Sequence, residues 1–270
     1  MKGFSKYRKY ILAGFVFMQI FMISIPASAY EVFSSWDDIK NYIYKNMEDR
    51  KEKINFIYNG DKTDYGLQLK EAVKETYSKD DYMERSWTEI KPEAYDLGIG
   101  IETTISIRYL CTKEQEDYVD RELKKATSSI INDNMSDYDK VNAINRYIID
   151  RYEYDYDLKS LSVYSALTTS ETVCQGYSMT AYKMFNYAGI KNRIIVGTAR
   201  GTSHSWNLVK IDGKWYHIDI TNNDSGNIYK YFLVSDQFLI NNNYKWDSKM
   251  YPLSLEDYST IDTRVSNLEI

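Results

Sequence analysis

Apolar residues recur at helical spacing through much of the chain. Trp36, Ile39, Tyr42 and Ile43 share a face behind Ser34 and Ser35, either of which can cap a helix there. The charged run 47–53 reads as a solvated helix end and loop. Alternation takes over at 54–58, a strand closed by Asn59-Gly60. A polar helix is predicted over 68–76, and the Ile- and Thr-rich stretch 99–109 alternates as a strand. Two helices follow, over 113–131 and from Ser136, where Val141, Ile144, Ile148 and Tyr152 fall on one side. Residues 174–187 read as a helix stopped by Gly189. Strands are predicted at 193–199, 203–211, 214–221 and 229–234. Helices, then a helix opened by a cysteine, then an antiparallel run of strands predict an α+β fold.

One turn fixes more than its own shape. Asp212-Gly213 joins two alternating runs and predicts a two-residue type I′ hairpin. Its register places Ile211 opposite Lys214, Lys210 opposite Trp215, Leu208 opposite His217, Trp206 opposite Asp219 and His204 opposite Thr221. His204, Trp206, Leu208, Trp215, His217 and Asp219 then project from one face. His204 and Asp219 become diagonal neighbours roughly 7–8 Å apart, which suits an imidazole oriented by a carboxylate. His217 falls about 13 Å along the sheet from His204 and reads as a structural residue.

Composition narrows the chemistry. Two cysteines and two histidines in 270 residues exclude multi-zinc, disulfide-built and haem-rich proteins. No metal or cofactor is expected, and the polar run 222–226 lacks the ligand spacing of a calcium loop. The 27 tyrosines are spread along the whole chain and read as compositional bias. Residues 1–29 have the anatomy of a secretory signal: Lys2, Lys6, Arg8 and Lys9, an apolar run from Ile11 to Ile25, and Ala27-Ser28-Ala29 as the cleavage site. Cleavage removes those four basic residues and leaves 30 Lys and Arg against 39 Asp and Glu, a net charge of −9. An acidic chain without a basic cluster argues against nucleic acid as a partner, and no later stretch is apolar enough to span a membrane. A secreted or cell-surface protein is expected. Its divisions would be an accessory α+β region at 30–112, a catalytic domain at 113–245 and a C-terminal tail at 246–270.

Cys174 opens its helix, where the positive end of the helix dipole favours the reactive thiolate. Alone it could equally be a buried structural cysteine. With His204 as base and Asp219 holding the ring tautomer, it becomes a nucleophile for acyl transfer. The Cys174 N–H would hold the oxyanion, with Tyr164, Gln175 or Trp206 as candidates for a second donor or substrate contact. Gly176 would let a substrate or another chain approach closely. Cys111 has no second His/Asp set and reads as structural.

The segments Val173-Cys174-Gln175-Gly176-Tyr177, His204-Ser205-Trp206-Asn207 and Gly213-Lys214-Trp215-Tyr216-His217-Ile218-Asp219 occur in that order. Together, over about residues 136–236, they closely resemble the transglutaminase-like superfamily. The resemblance implies a papain-like core with the cysteine helix packed on an antiparallel sheet, Cys174, His204 and Asp219 as nucleophile, base and acid, and a thioester formed from a peptide bond or glutamine amide. Residues 231–236 resemble the family's closing strand, whereas 30–112 fall outside the resemblance. The expected function is exported acyl transfer on a protein or peptide substrate at the cell surface or wall, by a protease, amidase or crosslinking transglutaminase. The alternative is a non-catalytic cell-surface binding module on the same scaffold.

Overall fold

The computed structural model describes residues 30–259, so the expected signal segment 1–29 lies outside the described residues, as do residues 260–270. The first unit is a four-stranded sheet under two helices. It contains β1 (Glu31–Phe33), α1 (Trp36–Glu48), β2 (Lys53–Tyr58), α2 (Tyr65–Tyr77), α3 (Asp81–Arg85), β3 (Trp87–Asp96) and β4 (Ile101–Tyr109), with strand order β1-β2-β4-β3. Alternate residues of β2 and β4, among them Ile54, Phe56, Ile105 and Ile107, face Ile39, Ile43 and Met47 of α1 and Leu69 and Val73 of α2. The sequence pattern misses β1, α3 and β3. Most of β3 is exposed at the sheet edge, so it has no alternation to read, and that edge position tolerates Pro92.

α4 (Lys113–Ile130) and α5 (Asp137–Arg151) each begin with a capping box, Thr112 with Gln115 and Ser136 with Asp139. β5 (Glu153–Tyr154) and β6 (Glu171–Thr172) pair in parallel on either side of α6 (Val163–Thr169). α7 (Cys174–Tyr187) is buried on nearly every side, as a central helix must be to lie between α4, α5 and α6 and a sheet. That sheet is antiparallel, in the order β10-β9-β8-β7-β11. Its strands are β7 (Asn192–Ala199), β8 (Thr202–Ile211), β9 (Lys214–Ile218), β10 (Phe232–Val234) and β11 (Tyr244–Trp246), interrupted by α8 (Ile220–Asn223) and α9 (Asp236–Asn241). Val209, Ile211, Tyr216 and Ile218 join the core around α7, while Trp206 and Leu208 pack with Leu239 and Tyr244. The fold is α+β, with the cysteine-bearing helix on an antiparallel sheet.

Asp212 (φ +51°) and Gly213 (φ +83°) are both left-handed, as a type I′ turn requires. The register follows from Ile211↔Lys214 through Leu208↔His217 to Asn207↔Ile218. It stops there. β9 ends at Ile218, and Asp219 caps α8, so the expected pairs of Trp206 with Asp219 and His204 with Thr221 do not form. Of the expected tail at 246–270, residues 246–259 are described. β11 crosses its boundary, Asp236 N–H donates to Ser254 O (2.8 Å), and Tyr258 N–H donates to Leu233 O (2.9 Å), so 246–259 lies against the core.

The N-terminal unit docks on this core through α3. β11 covers only Gly197–Ala199 of the outer edge of β7, leaving the start of that edge open. The Asp81 carboxylate takes the Ile194 N–H there (2.8 Å) and grips the Arg193 guanidinium at 2.7 and 3.0 Å. Beside it, Glu116 of α4 accepts from Tyr82 Oη (2.8 Å) and pairs with Arg50 (3.0 Å). Asp81→Ala would leave a backbone N–H and a half-buried guanidinium without partners. It should cost about 2–3 kcal/mol, read as a lower urea midpoint at unchanged m-value.

Candidate active site

Cys174 is the first residue of α7, and Val173, the N-cap, offers no side-chain bond to the helix. No side chain competes for the first N–H groups, although the Gly176 N–H donates to Val173 O (2.9 Å), so the Cys174 and Gln175 N–H groups and the dipole face a negative charge placed there. Gly176 is required for a reason other than substrate approach. A Cβ there would lie 1.9 Å from Thr172 Oγ1, whose hydroxyl is buried and donates to Ser160 O (2.8 Å). The close neighbour is the strand that delivers the cysteine. Ser178, one turn on, ties α7 to β8: its Oγ lies 3.0 Å from Ser205 Oγ, and its carbonyl accepts from Asn207 Nδ2 at 3.0 Å.

The early end of β9 shapes what lies above this helix. In an antiparallel pair, alternate residues turn their N–H groups toward a given neighbour. Ser205 follows Ile211, Val209 and Asn207 in facing the side that β9 has left. Its N–H hydrogen-bonds the Cys174 sulfur instead, and the same sulfur bonds the His204 ring. His204 Nε2 lies 2.7 Å from Asp219 Oδ2, leaving Nδ1 as the ring nitrogen toward the thiol. Asp219 is 1% exposed and receives three further hydrogen bonds from two residues that the sequence pattern does not flag. Tyr244 Oη donates to Oδ2 (2.6 Å), Asn222 Nδ2 donates to Oδ2 (2.7 Å), and the Asn222 N–H donates to Oδ1 (3.0 Å). Asn222 Nδ2 also approaches His204 Nε2 at 3.3 Å. An Asp that caps a helix three residues before its partner is a legible local signal for Asn222. Nothing local announces Tyr244, which arrives from β11.

The three candidates for the second oxyanion donor lie elsewhere. Gln175 spends its amide Nε2 on Arg85 O (3.2 Å) and Leu161 O (3.3 Å). Tyr164 packs edge-on against Tyr118 of α4, centroids 5.6 Å apart. Trp206 is 1% exposed behind His204, and its Nε1–H donates to His217 Nδ1 (3.0 Å). Tyr154, which the sequence reading passed over, lines the cleft in front of His204. Burial, and then the nearby Cys174 charge, raise its hydroxyl pKa. Cys111 is a free, buried thiol, raised by burial, beside Ser162. In the 222–226 run, Asn223 binds Asn145 and the Tyr231 N–H, and Asp224 accepts from Tyr177 Oη.

The cleft measures about 830 Å³ and runs between the β5–β6 pair and the start of β8, with His204 in its wall. Glu153 and Glu171, register partners in β5 and β6, place two carboxylates side by side on its rim.

Burial alone would raise the Cys174 pKa, but the His204 hydrogen bond and charge, with Ser205, outweigh it and lower it. Burial would depress His204, yet the charge and hydrogen bond of Asp219, helped by the thiolate, push it up to about 10. Asp219 stays below the ordinary carboxylate range: burial raises it, and the His204 charge and three hydrogen bonds more than compensate. Both shifts act in the direction of a thiolate–imidazolium pair. In Cys174→Ala protein the thiol no longer titrates, and His204 can be read alone. Its folded pKa exceeds the unfolded value of about 6.5, so its contribution to stability is full below that pH and is lost as pH rises through the folded value. Urea midpoints of Cys174→Ala should therefore decline from pH 7 to 10. The decline should flatten in Cys174→Ala/Asp219→Asn.

Residues 124–220 match the family model described as the transglutaminase-like superfamily. The kyphoscoliosis peptidase of Mus musculus is 26% identical over 117 residues, covering 37% of this chain and 18% of the peptidase, so the chain spans under a fifth of that relative's length. Among solved structures, a candidate cysteine protease from Cytophaga hutchinsonii aligns with 49% of this chain and 62% of its own, at 15% identity and a TM-score of 0.35. A TGase aligns with 82% of this chain and 64% of its own, at 16% identity and a TM-score of 0.35. The segment that matches the transglutaminase-like superfamily model, residues 124–220, includes Cys174, His204 and Asp219.

Proposed function

We propose that the protein is an exported cysteine acyl-transfer enzyme that acts on polypeptide amides. The observation that carries this reading is His204, placed between the Cys174 thiol and the buried Asp219 carboxylate in the wall of an open cleft. The Cys174 thiolate attacks the amide carbon, a C–S bond forms, and the carbonyl electrons move to oxygen. The first N–H groups of α7 stabilise that oxyanion, with the Tyr154 hydroxyl as the nearby side-chain donor. The His204 imidazolium gives its proton to the departing amine nitrogen as the C–N bond breaks, leaving a thioester. Neutral His204 then takes a proton from water or from a primary amine, which attacks the thioester and restores the thiolate. Asp219 keeps the ring in the tautomer both steps need.

Water as acceptor makes the enzyme a protease or amidase, and a lysine amine makes it a crosslinker. The paired carboxylates Glu153 and Glu171 on the rim attract cations, which favours polypeptide carrying lysine or arginine near the reacting amide. Residues 1–29 would direct the chain across a membrane, so such substrates would be met outside the cytoplasm.

The test incubates mature protein with secreted and cell-wall proteins and a tagged primary amine, followed by mass spectrometry. Tag on glutamine, or new termini or deamidated side chains, should appear with wild type and fall by at least about 10³-fold in Cys174→Ala. Identical product sets from the two proteins would sink the enzyme reading.

A further inference from the structure

His204 has a neighbour on its ring face as well as at its two nitrogens. Trp206 lies two residues along β8 and on the same side, with its indole stacked on the imidazole: centroids are 5.9 Å apart and the planes 19° from parallel. The indole is itself anchored. Its Nε1–H donates to His217 Nδ1 at 3.0 Å, and His217 Nε2 lies 2.7 Å from Asp236 Oδ1. An indole nitrogen can only donate. His217 Nδ1 is therefore unprotonated, its proton sits on Nε2 facing Asp236, and the ring is neutral. Ser254 N–H holds the same carboxylate oxygen at 3.3 Å. Trp246 closes on both rings edge-on, 5.8 Å from Trp206 and 5.1 Å from His217. Trp206 and His217 are each 1% exposed. The charged or titratable groups around the two imidazoles are Cys174, Asp219 and Tyr244 for His204, and Asp236 for His217.

A cation over an indole face gains most where water is excluded, and the stack gives the His204 imidazolium such a face. We propose that Asp236, His217 and Trp206 form a positioning chain for the base. Asp236 selects the tautomer of His217, His217 orients the indole, and the indole holds the His204 ring in line with both Cys174 and Asp219. All three act through His204 and are positioning residues. The proposal takes the Cys174–His204 pair from the acyl-transfer reading, but its test needs no substrate.

The rate of Cys174 alkylation by iodoacetamide, followed on the Cys174 peptide of the full mature chain, gives a pH profile. Wild type should show its inflection well below the ordinary thiol value of about 8.5. Trp206→Leu and His217→Leu should each raise the inflection by about one unit, an approximately tenfold loss of rate on the acid side. Trp206→Phe keeps a ring but has no N–H to anchor, and should fall between. A purely structural role would lower thermal stability and leave the inflection in place. An unmoved inflection in folded Trp206→Phe and His217→Leu overturns the proposal, as does an ordinary inflection in wild type. If these variants do not fold, imidazole 15N spectra of wild type decide. His217 should remain neutral and protonated on Nε2 from pH 6 to 8, and a proton on Nδ1 overturns the chain. Shifted inflections with no amine incorporation or cleavage by wild type would instead sink the acyl-transfer reading and leave the positioning chain standing.

Discussion

A carboxylate with 1% exposure governs the geometry around it. An ionised group so deep is tolerated only when hydrogen bonds and an opposite charge replace its lost water. Asp219 obtains them from three directions: His204 on β8, Asn222 on α8 and Tyr244 on β11. Capping α8 with its side chain requires the backbone to leave the sheet at that residue. That departure also frees the Ser205 N–H for the sulfur of Cys174. The end of a strand, the start of a helix and the environment of a thiol are thus three results of satisfying one buried charge.

The two histidines show how context divides identical side chains. Both meet a carboxylate at 2.7 Å. His204 has the Cys174 sulfur beyond its other nitrogen, and burial, which would lower its pKa, is outweighed by Asp219 with help from that sulfur, so the pKa is pushed up to about 10. His217 has an indole N–H there, which only a bare nitrogen can accept. Burial is the leading influence on it, partly offset by Asp236, and the net shift is downward. A charged ring and a neutral ring follow from what faces the second nitrogen.

What could be read from sequence was what is decided locally. The Asp212-Gly213 turn sets its register through two residues in left-handed backbone, so the pairing down to Asn207 with Ile218 was legible. The helix from Cys174 to Tyr187 was legible from its pattern and the glycine beyond it. The full surroundings of Asp219 at the end of β9 were not, because two of its partners, His204 and Tyr244, lie 15 and 25 residues away in sequence. Gly176 could be flagged as special, but not explained without Thr172 folded against it. Gln175 and Trp206 drew notice beside chemically important neighbours, yet their polar atoms are occupied by Arg85, Leu161 and His217. β3 was missed because an exposed edge strand has no buried face to impose a period.

Arg85 belongs to the N-terminal unit, yet its carbonyl holds the side chain immediately after Cys174, while Asp81 seals the edge of β7. The transglutaminase-like segment in this chain is therefore not a portable module. Moved into another protein without its first hundred residues, it would carry an open strand edge, an unpaired buried N–H and a loosened residue next to its thiol. Any other chain that houses this segment must cover the same three positions.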